Sequence, residues 1–184
     1  MFANFDANRD SWVAWLKLNL VSASAAFLTD DIVQQNFEFY AKTLSGTPQI
    51  RDRWKRGVSL VEGSLGEAIG KIYVEKHFSE SAKTRMDELV KFVIEAYRES
   101  IKNLDWMTEE TKVKALAKLD TFNPKIGYPV KWKDYSSIVI KRDDLVGNAR
   151  RVSAWVADTE LAKIGSKIDR DEWFMSPQTV NAYY

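Results

Sequence analysis

"SESAKTRMDELVKFVIEAYRESIKNL", Ser79 to Leu104, decides the fold class. Met86, Leu89, Val90, Val93, Tyr97, Ile101 and Leu104 recur at three- and four-residue spacing, which lays one apolar stripe along a helix. Ser79 stands just ahead of the stripe, where its hydroxyl can accept a bond from a free N–H of the first turn. The stretch predicts a long amphipathic helix with one side buried and the charges on the other.

The same period extends to both sides. Arg9 to Phe27 predicts a helix carrying Trp12, Trp15, Leu16 and Leu20. Thr29 and Asp30 offer caps for a second, with Ile32, Val33, Phe37 and Tyr40, and Ser45-Gly46-Thr47-Pro48 breaks it. A third runs from about Gln49 to Lys76, with a bend expected at Gly63 or Gly66. Downstream, Thr108 caps another helix, and Glu109 and Glu110 complement its positive end. Asn123-Pro124 ends it. Lys125 to Tyr135 reads as extended, and Ser137 to Ile140 as a short strand. Asp143 or Asp144 caps a last helix with Leu145, Ala149, Val152 and Val156 on one side, and Gly165 closes it. The pattern then changes. Val180 to Tyr184 is β-prone, aromatic and uncharged, and predicts a strand waiting for a partner. The expected fold is mainly α, a multi-helix domain with a short extended or β segment at the C-terminal end.

Composition narrows the function. A chain of 184 residues is expected to form one domain, or one with a small appendage. A net charge of +1 argues against a general attraction to nucleic acid or anionic membranes. The absence of cysteine excludes disulfides, thiolate metal sites and cysteine catalysis. No run reaches ~18 apolar residues, so no membrane span is read. Trp12–Leu28 lacks the basic start of a signal peptide. The compartment stays open: a chain without cysteine suits a reducing cytoplasm, which is favoured, and export is open to a protein that carries a signal upstream.

The candidate chemical groups have ordinary structural readings beside them. His77 is the only histidine, too few for a zinc site that recruits several ligands, so helix packing is its expected role. Gly63-Ser64-Leu65-Gly66 lacks the Gly-Lys-Ser/Thr ending of a phosphate loop and the spacing of a nucleophile elbow. Gly66 and Gly70 instead predict a close helix contact, since four-residue spacing puts both on one face. Arg51, Arg53, Lys55 and Arg56 around Trp54 could grip phosphate, yet read as a solvated helix face. Glu109/Glu110 and Asp143/Asp144 sit where helix capping accounts for them. Most of the seven tryptophans read as core anchors.

Three segments in order carry a resemblance: "RDRWKRGVSLVEGSLGEAIGKIYVEKHF" at 51–78, "IKNLDWMTEETKVKALAKLDTFNPKIGYPVKWKDYS" at 101–136, and "DEWFMSPQTVNAYY" at 171–184. Together they resemble the neprilysin-like (M13) zinc metallopeptidases, in character the bacterial oligopeptidases, from about Arg9 to Tyr184. The resemblance implies a helical domain that caps a thermolysin-like catalytic domain. It places residues 1–168 in the late part of the capping domain and 169–184 at the start of the catalytic domain, as an edge strand beside the substrate. In the family a zinc-binding His-Glu-x-x-His helix follows the Asn-Ala-Tyr/Phe-Tyr motif. The chain is therefore expected to be an internal piece upstream of the zinc site, with no metal ligand or catalytic residue of its own and no peptidase activity alone. For the full-length enzyme the resemblance implies zinc and peptide substrates. Zinc polarises the scissile carbonyl and activates water, and the motif glutamate is the general base. Asn181 and Ala182 match the family's pair that hydrogen-bonds the substrate backbone. The expected partners are peptides and the catalytic domain, without nucleic acid or membrane. The alternative is a free-standing helical module that binds a partner without catalysis.

Overall fold

The computed structural model describes residues 6–183. Among them six α-helices form: α1 (Arg9–Ser24), α2 (Asp30–Asn36), α3 (Arg53–His77), α4 (Glu80–Lys102), α5 (Glu109–Leu119) and α6 (Leu145–Leu161). Their starts follow the capping residues. The Ser79 hydroxyl accepts from Ala82 N–H at 3.2 Å and Thr108 from Thr111 N–H at 3.3 Å. Asp144, rather than Asp143, takes the Gly147 N–H at 2.9 Å. After α2 the helix widens into π-helical turns over Phe37–Thr43. There Thr43 and Ser45 hydroxyls donate to carbonyls five residues back, at 2.7 and 3.0 Å, which satisfies groups that the widened helix leaves open. The bend expected in α3 falls on Leu65, between the two candidate glycines, at φ −131° and ψ 37°.

The chain divides into two units. The first takes the chain up to Leu60 together with Ser136–Ala162. Ala25 is its buried apolar residue. Here the strand expected at Ser137 to Ile140 does not form. Side chains of α6 supply the bonds that a neighbouring strand would have supplied. Arg151 Nε donates to Val139 O at 2.6 Å, and the Asn148 amide exchanges two bonds with the Lys141 main chain at 2.7 and 2.8 Å. A segment whose polar backbone is satisfied this way has no need of a ladder. Asp144 pairs with Arg151 at 3.0 Å, and this bond, ahead of the Gly147 N–H, holds its carboxyl below the ordinary range.

The second unit takes Val61–Tyr135 and the chain from Lys163 onward. Here α4 packs with α5, Leu119 is buried, and Arg98 bridges to Asp120 at 2.7 Å. Lys83 Nζ donates to Ile126 O at 2.7 Å and lies 5.3 Å from the centre of the Tyr128 ring. Tyr128 stacks on Trp132 and meets the edge of Phe78. Gly127 makes this possible: its φ is +76°, and a Cβ there would stand 2.6 Å from the Phe78 ring.

Among the described residues no strand forms. The C-terminal strand expected at Val180 to Tyr184 is irregular over Val180 to Tyr183, and Tyr184 lies outside the described residues. No single helix among the described residues is long and apolar enough to cross a membrane. On α4 the side chains Met86, Leu89, Val93 and Tyr97 remain exposed, so much of its predicted apolar stripe is uncovered, and Phe92 beside it is exposed as well.

Candidate functional site

Residues 176–178 lie against α3, and two glycines decide how closely. A Cβ at Gly66 would come 3.3 Å from Ser176 Cβ. At Gly70, which is buried, a Cβ would come 2.9 Å from Gln178 Oε1, the end of a flexible side chain, and 2.6 Å from Pro177 Cδ, so the proline ring would have to shift. The close contact expected at these glycines is present, but its partner is a turn of the tail and not a helix. Thr179 N–H donates to Ser176 O at 3.0 Å, and the two hydroxyls of that turn meet at 3.1 Å. Gln178 Nε2 donates to Gly66 O at 3.2 Å, which ties the turn to the helix next to its kink.

Between the glycines stands Glu67, 6% exposed and on the same helix. Its Oε2 accepts the Lys133 N–H at 2.8 Å, and Oε1 lies 3.4 Å from Lys133 Nζ. The Tyr135 phenol is close by. Burial pushes its pKa up, a hydrogen bond to the Glu67 main chain pulls it down, and the Glu67 charge raises it again.

The segment leading to the turn is held through its carbonyls. Asn123 Nδ2 donates to Arg170 O at 3.0 Å, Lys125 Nζ to Glu172 O at 2.7 Å, and Lys133 Nζ to Trp173 O at 3.4 Å. Lys163 Nζ meets the Glu172 carboxylate at 2.6 Å. Residues 170–173 are thus fixed by long side chains instead of by a sheet.

Asn181 and Ala182 follow three and four residues beyond Gln178, and both are exposed. Asn181 N–H donates to Thr179 O at 3.1 Å, and Asn181 Oδ1 accepts the Ala182 N–H at 2.8 Å. These short-range bonds orient the carboxamide and leave Nδ2 with no partner among the described residues. Nδ2 carries two hydrogens and can donate to the carbonyl of an extended peptide. Phe174 lies edge-on to Tyr183 at 6.2 Å, which draws the chain on both sides of the pair together.

The other candidates lead elsewhere. His77 rests against the Tyr73 ring at 5.1 Å. Among the described residues no group of three or more His, Asp or Glu side chains is placed to hold a metal ion. Ser64 is half-buried one residue before the kink. The basic cluster has its own partners: Arg51 donates to Ser59 at 3.3 Å, Lys55 pairs with Asp52 at 2.9 Å and Arg53 with Asp30 at 3.8 Å. Sequence reading missed Glu67, Asn123, Lys125, Lys133 and Gln178. Only one signal pointed that way, a lone acid between two helical glycines, and nothing local identifies partners 66 or 112 residues away.

A family model described as "Peptidase family M13" matches residues 2–129. A neutral endopeptidase of Lactobacillus helveticus is 31% identical over 97% of this chain and 28% of its own length. The solved structure of the Mycobacterium tuberculosis zinc metalloprotease Zmp1 with an inhibitor aligns at 56% identity and a TM-score of 0.87, over 95% of this chain and 26% of that one. PepO from Lactobacillus rhamnosis aligns at 30% identity and 0.84, over 94% and 28%. The chain spans under a third of the length of each.

Proposed function

The chain belongs to peptidase family M13, and from that premise we propose that it forms part of a zinc-dependent metalloendopeptidase that hydrolyses peptides. Its helices serve as a wall of the substrate chamber, and residues 169–184 lead into the catalytic domain, with Asn181 and Ala182 on the substrate backbone. The observation that carries this reading is the Asn181 carboxamide: exposed, oriented by its own neighbour, with Nδ2 unengaged. An extended peptide offers one carbonyl per residue to such a donor, which gives binding without demanding a particular side chain.

The residues of this chain do not fit a zinc site. One histidine and no cysteine cannot supply the usual ligand set. The zinc ion is therefore assigned to residues not in this chain, and no step of the hydrolysis runs through the residues described above. The chain's contribution is alignment: Nδ2 donates to a substrate carbonyl, and the scaffold keeps that amide in place. The uncovered apolar side of α4 supports a further partner of the same protein, the catalytic domain. It equally supports the alternative, a helical interaction module. The reading frame beyond codon 184 separates them, because only the peptidase continues into His-Glu-x-x-His.

The test is Asn181→Ala in the enzyme that carries this chain. Losing one such bond costs about 0.5–1.5 kcal/mol, and up to about 3 where a buried partner is left unsatisfied. The expected fall in kcat/KM is roughly two- to hundredfold, with zinc content unchanged. Unaltered kinetics at full zinc content would exclude the substrate contact.

A further inference from the structure

We infer that Gly70, Pro177 and Gln178 form a clasp that positions the Asn181–Ala182 pair, so that these are positioning residues for substrate binding; the inference rests on the reading of Asn181 given above. An exposed tail does not by itself hold a carboxamide in one place. Here the chain is fixed three residues earlier. The Pro177 ring sits where the Gly70 side chain would be, with Cδ 2.6 Å and Cγ 3.1 Å from a Cβ at that position. The ring is rigid and cannot swing aside as a flexible side chain would. Gln178 Nε2 bonds the Gly66 carbonyl at 3.2 Å, while its Oε1 is buried without a hydrogen-bond partner. The glutamine is thus held by one bond and by fit. From the clasp onward the bonds run stepwise: Ser176 O to Thr179 N–H, then Thr179 O to Asn181 N–H, then Asn181 Oδ1 to Ala182 N–H. Each link fixes the next, and the first is fixed to α3. A shift of Pro177 therefore displaces the Asn181 amide.

Hydrogen exchange on the full 184-residue chain tests the clasp. The amides of Thr179 and Asn181 report it, since both are bonded inside the turn. Gly70→Ala should speed their exchange about tenfold or more and leave the α4 amides unchanged. In a Pro177→Ala background the same change should accelerate exchange several-fold less, because the rigid ring contacts are gone and only Gln178 Oε1, the end of a flexible side chain, stays within 2.9 Å of the new Cβ. Gln178→Glu, which replaces the donor by a charge, should act like Gly70→Ala. Unchanged exchange in Gly70→Ala, or an equal acceleration in the Pro177→Ala background, would overturn the clasp. In the enzyme that carries this chain, Gly70→Ala should raise KM with zinc content and kcat kept, and should have no further effect once Asn181 is alanine. Faster exchange with an unmoved KM would overturn the positioning role, whereas the substrate reading of Asn181 fails only if Asn181→Ala itself leaves the kinetics unaltered, so the two failures are distinct.

Discussion

Replacing Glu67 by alanine removes the acceptor of the Lys133 N–H and one half of an ion pair, and the two losses differ in size. The N–H bond is 2.8 Å long, goes to a carboxylate in a residue 6% exposed, and is partly buried. A hydrogen bond to a charged group contributes about 1.5–3 kcal/mol. The ion pair is looser at 3.4 Å, and the Lys133 side chain is 40% exposed, so solvent screening holds it below about 1 kcal/mol. Part of the loss is offset, because a buried carboxylate no longer has to be desolvated. The expected cost of Glu67→Ala is about 2 kcal/mol, chiefly through the main-chain bond. Glu67→Gln keeps a neutral acceptor and should cost about half as much. Lys133→Met keeps the N–H and should cost less than about 1 kcal/mol. Urea denaturation followed by far-UV circular dichroism reads these differences. With a slope of about 2 kcal/mol per molar, Glu67→Ala should lower the midpoint by about 1 M. A Lys133→Met variant as destabilised as Glu67→Ala would show that the ion pair dominates and refute this ranking. A neutral Glu67→Ala would refute the role of the carboxylate altogether.

Thr108→Ala and Ser79→Ala should each cost about 1 kcal/mol in the same denaturation assay, since each leaves a first-turn N–H without its hydroxyl acceptor; a variant within error of wild type would refute the capping role. Asp144 gives a pH dependence of known sign. Its pKa is lowered from an ordinary 3.8 by Arg151 first and the Gly147 N–H second. Its contribution is therefore present above the ordinary value and lost as pH falls through the lower folded value. Thermal melts between about pH 5 and about pH 2 should lose more stability in wild type than in Asp144→Asn, and equal losses would refute the linkage.

The tail shows where local signals stop. Its composition marks it as extended, and residues 170–173 do lie apart from any helix. Whether extended chain becomes strand depends on what meets its carbonyls, and at Arg170, Glu172 and Trp173 these are the side chains of Asn123, Lys125 and Lys133. The same holds at Val139 and Lys141, served by Arg151 and Asn148. Asn181 and Ala182 are proposed as substrate contacts through resemblance alone, because nothing in the sequence around them states that the carboxamide is held by its neighbour.

The helices follow from local chemistry alone. Spacing of apolar residues, hydroxyl and carboxylate caps, and Gly/Pro breaks act within a few residues, so α3, α4, α5 and α6 lie close to where their residues place them. The sequence also lets Gly66 and Gly70 admit a close neighbour. Which neighbour fills that space depends on the folded chain. The turn at Ser176 to Thr179 comes from more than 100 residues away to meet Gly66, and a Cβ at Gly70 would collide with its proline. The buried carboxylate of Glu67 finds its donor 66 residues on. The physical reason is range: a helix satisfies its own backbone locally, whereas an extended segment must borrow partners, and borrowed partners belong to the fold.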